Sequence, residues 1–236
     1  MKLLINSGNF EILAKPTGDV NEIIKTAGMT CYQSAGTTTK TAKEFVEMLR
    51  DRGHWSMFDH VSVTVRFKDC SRGMTNELVR HRLAAFAEES TRYVDKSDLH
   101  VVGPPHRDCV NDHMQLEQPP PTCLADTAMS FQQMCETVEC FYRTLKEHGW
   151  SNEDARQILP IGIKSEIVMT ADFTEWRHVF ALRTQQAAHW EIRRVMGLLL
   201  EEFKKLFSPV FDDFELVGTC KNNVNYYKIN KPTIKK

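Results

Sequence analysis

The strictest pattern in the chain is Val61-Ser62-Val63-Thr64-Val65-Arg66-Phe67, where apolar and polar side chains alternate without a break. Successive strand residues face opposite sides, so this segment predicts a strand with one buried face. Residues 163–171 predict a second strand, and residues 1–14 a short strand pair around the turn Asn6-Ser7-Gly8-Asn9. Helical spacing governs most of the rest. Residues 20–26 predict a helix, and over 41–52 Ala42, Phe45, Val46 and Leu49 recur on one face before Gly53 stops the run. A helix is predicted over 71–85, with Met74, Leu78 and Ala85 inward. A long amphipathic helix runs from Leu124 through Phe131, Cys135, Val138 and Leu145 to Gly149. Ser151 caps a short helix that Pro160 ends, and Asp172 with Glu175 three residues on opens another, through Arg183. Ile192, Val195, Met196, Leu199, Phe203 and Leu206 stripe a last helix over 190–207. Residues 94–121 carry Pro104-Pro105 and Pro119-Pro120-Pro121 and predict a long loop. The mixture predicts an α+β fold in one domain over 1–220, followed by a polar, basic and loosely ordered tail over 221–236.

Composition narrows the classes. Of 236 residues, 42% are hydrophobic and 26% charged, ordinary values for a globular chain. Lys plus Arg is 30 against 31 Asp plus Glu, which argues against a general nucleic-acid coat but leaves room for a local cationic pocket. No apolar run is long enough to cross a bilayer, and the apolar start Leu3-Leu4-Ile5 is too short for a secretory signal. Seven cysteines, an odd number without a CxxC pair, predict free thiols and a cytoplasmic location.

The unusual chemistry lies in Arg80-His81-Arg82-Leu83-Ala84-Ala85-Phe86-Ala87-Glu88-Glu89-Ser90-Thr91-Arg92-Tyr93. On a continuous helix, Glu77, Arg80, His81 and Ala84 would share one face. The Ser90 and Thr91 hydroxyls with the Arg92 guanidinium suit a phosphate, because Arg binds phosphate bidentately. A solvated charged face is the plain alternative, but the arginines outnumber what the local carboxylates need, and interleaved small and aromatic residues suit a flat ligand. His106, Cys109 and His113 have metal-like spacing but no second ligand pair, so no metal is predicted.

Arg80-His81-Arg82, seven residues and Ser90 together resemble the signature of flavin-dependent thymidylate synthases. Three flanking segments extend the resemblance over about 40–212: Gly53-His54-Trp55-Ser56-Met57-Phe58-Asp59-His60, Ala155-Arg156-Gln157-Ile158-Leu159-Pro160, and Glu175-Trp176-Arg177-His178 with Arg183 and Trp190-Glu191-Ile192-Arg193. The resemblance implies a central, mainly antiparallel sheet flanked by helices. It implies conversion of dUMP to dTMP with 5,10-methylenetetrahydrofolate as one-carbon donor and NADPH-reduced FAD as reductant. It also implies a homotetramer whose subunits share active sites. No Cys nucleophile is needed, and none of the seven cysteines lies in the matched ligand-binding segments.

By carry-over, Ser56, Arg80, His81, Arg82, Leu83, Glu88, Asp172, Phe173, Thr174 and His178 contact FAD. The same carry-over gives Glu77, Leu78, Val79, Arg80, Arg156 and Arg183 to the nucleotide, with Arg183 polarising the uracil, and Ser90, Thr91 and Arg92 are the candidates for its phosphate. Such a guanidinium stays charged at every relevant pH and favours an electron-rich ring. Ser90 reads as a ligand rather than a nucleophile, since no base is placed by sequence to activate it. The chain departs from common family residues at Glu77, Ala87, Asp172 and Ala187. The competing reading is a non-catalytic nucleotide- or RNA-binding protein using the same basic segment.

Overall fold

In the computed structural model, which describes residues 1–31, 38–114, 128–220 and 223–230, two long strands organise the fold. They are β3 (Ser62–Ser71) and β6 (Lys164–Asp172), each with side chains alternating between buried and more exposed positions. The strands run antiparallel: Thr64 meets Thr170 through their hydroxyls at 2.9 Å, and the Phe173 amide donates to the Val61 carbonyl at 2.9 Å. With β2 (Asn9–Ala14) and β4 (Ala85–Glu88) they form a four-stranded sheet in the order β2-β3-β6-β4. The architecture is mixed α and β, as the patterning predicts, with the sheet flanked by helices, as the resemblance implies.

The chain divides into two compact units. One comprises Phe10–Phe67, Glu77–Ala87 and the described chain from Val168 onward. Its helix α1 (Val20–Cys31) is longer than predicted. Helix α2 (Ala42–Arg52) has both predicted ends: Thr41 and Glu44 close a capping box, and Gly53 takes the left-handed conformation at φ 72° that stops the helix. Asp172 caps α6 (Phe173–Arg183), accepting the Glu175 amide at 2.8 Å. Helix α6 is buried on several sides, so it shows little one-sided patterning, and its cap is the clearer sign in sequence. Trp176, Phe180, Phe203, Phe207, Phe211 and Phe214 build the aromatic core with α7 (Trp190–Leu206). Their rings meet mostly edge to face, as at 5.3 Å between Phe180 and Phe203. The Trp176 indole N–H donates to the Val63 carbonyl at 3.2 Å, which ties α6 to β3.

The second unit comprises Met1–Asn9, Lys68–Asn76 and Glu88–Ile167. Leu99, Val101, Cys135 and Ile163 form its core, with Phe131, Val138 and Leu159 packed against them. Helix α4 (Phe131–Glu147) begins with a Ser130–Gln133 capping box, and Ser151 caps α5 (Asn152–Ala155) as predicted. The predicted start of α4 at Leu124 falls outside the described residues, and Ala128 and Met129 precede the helix rather than belonging to it.

Three expectations are corrected. The first two strands do not pair with each other: β1 (Lys2–Ile5) runs parallel to β5 (His100–Gly103), while β2 edges the four-stranded sheet. The local turn is real, with Asn6 at φ 54° and Gly8 at φ 88°, but Val101 and Val102 offer β1 a buried partner. β5 itself lies within the segment predicted as loop, because four residues are too short to announce a strand. The described part of the tail forms strand β8 (Asn225–Ile229), antiparallel to β7 (Phe214–Thr219), with Val224 and Tyr227 buried. Two apolar anchors among polar neighbours outweigh its basic composition. Among the described residues, no helix is long and apolar enough to cross a membrane.

Candidate active site

The Arg80-His81-Arg82 segment is not helical. Helix α3 spans Arg72–Leu78 only, and the Leu78 carbonyl accepts the His81 amide at 3.1 Å before the chain enters β4. Leu78 and His81 turn inward while Val79, Arg80, Arg82 and Leu83 turn outward. The shared face of Glu77, Arg80, His81 and Ala84 therefore does not exist. Pairing of β4 with the sheet overrides the local helical tendency, because each added sheet hydrogen bond satisfies backbone groups that a fraying helix end leaves to water.

His81 is 3% exposed and faces the last residue of α6. The Arg183 Nε–H donates to His81 Nε2 at 3.0 Å. One terminal nitrogen of Arg183 donates to Glu77 Oε2 at 2.8 Å, and the other to the Glu77 carbonyl, also at 2.8 Å. An arginine carries five N–H groups. Three are spent here, two remain, and the partly exposed side chain can offer them outward. Behind this residue, the Thr184 carbonyl accepts the Tyr227 amide at 3.0 Å, so β8 fastens the chain next to Arg183.

Burial and the Arg183 charge hold His81 well below its ordinary pKa of 6.5, at about 4, with His178 adding to the effect. His81 is thus neutral near pH 7. His81, Glu175 and His178 form a triad whose ligand atoms lie within 4.8 Å of one another. Nε2 of His81 already accepts from Arg183, however, which leaves only Nδ1 of this ring for a metal. Arg80 and Arg82 are exposed and have no partner among the described residues, and Leu83 is 78% exposed. Ser56 sits in a 3-10 turn (Trp55–His60) that Arg177 steadies, with its guanidinium 4.5 Å from the Trp55 ring and bound by both oxygens of Asp213.

The second unit holds a different cluster. Arg92 donates to Glu153 at 3.0 Å, with both side chains about half exposed. Arg156 donates to the Thr91 hydroxyl at 3.2 Å, and the Ser90 hydroxyl accepts the Arg92 amide at 3.3 Å. Arg156 also donates to the Glu153 main-chain carbonyl at 3.2 Å, so two guanidiniums and the Thr91 hydroxyl meet at Glu153, a cluster with more cations than carboxylates that suits an anion. Glu88 Oε1 receives the Thr75 hydroxyl in a short bond, the Ser165 hydroxyl at 3.3 Å and Arg72 at 3.2 Å.

A family model described as thymidylate synthase complementing protein matches residues 12–209. The chain belongs to this family. Members similar to it include the flavin-dependent thymidylate synthase of Mycolicibacterium gilvum, 31% identical over 209 residues, covering 83% of this chain and 80% of that one. The enzyme of the same name from Mycobacterium avium is 30% identical over 201 residues, covering 82% and 79%. Among solved structures, the UMP/dUMP methylase PolB from Streptomyces cacaoi, crystallised with 5-Br dUMP, superposes with a TM-score of 0.69 at 20% identity. It covers 90% of this chain and 96% of that one, a likeness of fold.

Within this member of the family, Glu77, His81 and Arg183 come together, as do Thr91, Arg92 and Arg156. Other predicted contacts are engaged elsewhere. Leu78 and Phe173 are fully buried, so any ligand near them meets main chain. Asp172 is committed to capping α6, and burial and nearby Asp59 raise its carboxyl above the usual range. The Thr174 hydroxyl donates to the Trp55 carbonyl at 3.2 Å. His178 is exposed and its ring stands edge-on to His81 at 5.5 Å. Sequence reading missed Glu175 as a neighbour of His81 and Thr75 as a partner of Glu88. The only advance sign of the first was the Asp172/Glu175 spacing, which speaks of a helix start.

Proposed function

We propose that this protein is a flavin-dependent thymidylate synthase, converting dUMP to dTMP with 5,10-methylenetetrahydrofolate as one-carbon donor and NADPH as reductant. The observation that carries the reading is Arg183, fixed by His81 and by both the side chain and the carbonyl of Glu77, with two N–H groups unspent. A guanidinium held this firmly costs little reorganisation when charge builds on a uracil carbonyl, and it favours the electron-rich ring that must attack a one-carbon donor. Thr91, Arg92 and Arg156, with Ser90 beside them, are the residues we assign to the nucleotide phosphate. Leu78 and Val79 adjoin Glu77 and would meet the nucleotide through backbone.

The residues present suit FAD. Arg80 and Arg82 are cations without protein partners among the described residues, and exposed Leu83 adds an apolar surface, a pairing that fits a diphosphate joined to a flat ring. Ser56, His81, Glu88 and His178 complete the assigned contacts, with Asp172, Phe173 and Thr174 contributing through the start of α6. Bound FAD supplies the reducing equivalents that finish the methyl group, taken from NADPH. The protein's part is to bind, orient and polarise. We assign the exposed Arg80–Leu83 turn to a site completed by another copy of the chain in a homotetramer, and the protein to the cytoplasm.

The test is reconstitution. Purified protein given FAD should turn yellow, and with dUMP, 5,10-methylenetetrahydrofolate and NADPH it should form dTMP detectable by mass spectrometry. Colourless protein that leaves dUMP unchanged overturns the reading.

A further inference from the structure

Helix α6 starts with half of a capping box. Asp172 accepts the Glu175 amide at 2.8 Å, but the Glu175 carboxylate does not return the bond to the Asp172 backbone. A glutamate at this third helical position ordinarily closes that box, and in α2 Glu44 does so with Thr41. Glu175 instead points inward and is only 5% exposed. Burial pushes its carboxyl above the usual range, with His178 opposing and Asp172 adding to the shift. A buried carboxylate without an N–H partner is costly, and near Glu175 that partner is His81. Nδ1 of His81 is buried without a well-aligned hydrogen bond, and Glu175 Oε1 lies 3.3 Å from it.

We infer that Glu175 is a positioning residue for Arg183, acting through His81. Its carboxylate faces the Nδ1–H of the ring and so selects the tautomer whose Nε2 lone pair receives Arg183 Nε–H. Without that preference, the ring can place its proton on Nε2, where it confronts a donor instead of accepting from it. Arg183 would then lose one of its three anchors. The residues line up as Glu175, His81, Arg183 and Glu77, a relay of orientation in which Glu175 touches no substrate. Its part in catalysis rests on the function proposed above, but the tautomer claim does not.

The first experiment therefore needs no activity. Protein labelled with nitrogen-15 in histidine, with His81 assigned by comparison with His81→Gln, should show the proton on Nδ1 at neutral pH. A proton on Nε2 overturns the inference, whatever the protein's activity. The second compares Glu175→Leu and Glu175→Gln in FAD-loaded enzyme. Gln retains an oxygen that can accept from Nδ1–H, while Leu does not. Misplacing a catalytic group by a fraction of an ångström typically costs about ten- to a hundred-fold in rate. Glu175→Leu should lose that much in kcat with KM for dUMP within about two- to three-fold, since the lost interaction belongs to the transition state. Glu175→Gln should recover most of kcat and keep the Nδ1–H signal. Equal kcat losses in both variants, or a parent-like kcat in Glu175→Leu, overturn the inference. Should Glu175→Leu not fold, the parent and Glu175→Gln spectra decide the matter. If no dTMP forms in the parent while the Nδ1–H tautomer is present, the proposed function falls and the positioning role stands.

Discussion

Arg183 and Arg92 each face a carboxylate, yet their surroundings differ. Arg183 is anchored three times, by an imidazole, a carboxylate and a carbonyl, and its side chain is 19% exposed. Arg92 has one ion pair to Glu153, and both of those side chains are about half exposed. An exposed pair of this kind contributes little to stability and exchanges readily for another anion. The first arrangement suits a group that must not move while charge develops, and the second a group that captures a ligand. The carboxylates repeat the contrast. Glu88 is held by two hydroxyls and Arg72, while Glu175 faces the poorly aligned His81, with His178 also near.

Removing Arg183 is the strongest way to break this comparison. Arg183→Ala should lower dTMP formation by about a thousand-fold or more, while FAD absorbance after gel filtration stays near the parent's. Substantial activity in that variant would remove the polarising role.

A second measurement concerns acid. His81 is neutral in the fold because its pKa falls from 6.5 to about 4. The unfolded chain therefore binds more protons between those values. Stability from this source is complete above pH 6.5 and is lost as pH drops toward 4, by about 3 kcal/mol at most. Denaturant midpoints in that window should fall with pH in the parent and less in His81→Gln. Parallel curves would show that the buried ring does not resist protonation.

The third change tests the capture group. Arg92→Ala should raise the dUMP dissociation constant by about ten-fold, with little change in FAD affinity, and the effect should shrink as salt rises. That is less than a buried guanidinium would give, because solvent already screens this one. Identical titrations would take the phosphate away from Arg92.

The smallest effect concerns Glu88. Thr75→Val removes one of the bonds to Glu88 Oε1 and should cost about 1 kcal/mol in unfolding free energy while Arg72 and Ser165 remain. A cost several times larger would mean that Thr75 carries the cluster alone.

Much of the fold was legible because its signals are local. Thr41, Gly53, Ser151 and Asp172 mark helix ends by satisfying backbone groups within a few residues of themselves. The alternation through 61–67 marks a strand for the same reason. The site motif was legible as residue identities and spacing, and it led to Glu77, His81 and Arg183. The geometry of that motif was not legible. Nothing near Arg80 announces that α3 ends at Leu78, since the competitor is an edge of the sheet supplied by β6. Nor could Glu175 be told from an ordinary box residue, because its inward turn depends on a histidine 94 positions away.

By itself, then, the sequence determined where most helices start and stop, which strand alternates, and which residue types are available for an anion and a uracil. Those outcomes depend on neighbours within a few residues, whose geometry the backbone dictates. The tertiary structure decided the partner of β1, the strand in the tail, the end of α3, and the tautomer that His81 presents to Arg183. These depend on which distant group occupies the same small volume, and burial sets that choice by leaving no water to satisfy whatever is left unpaired.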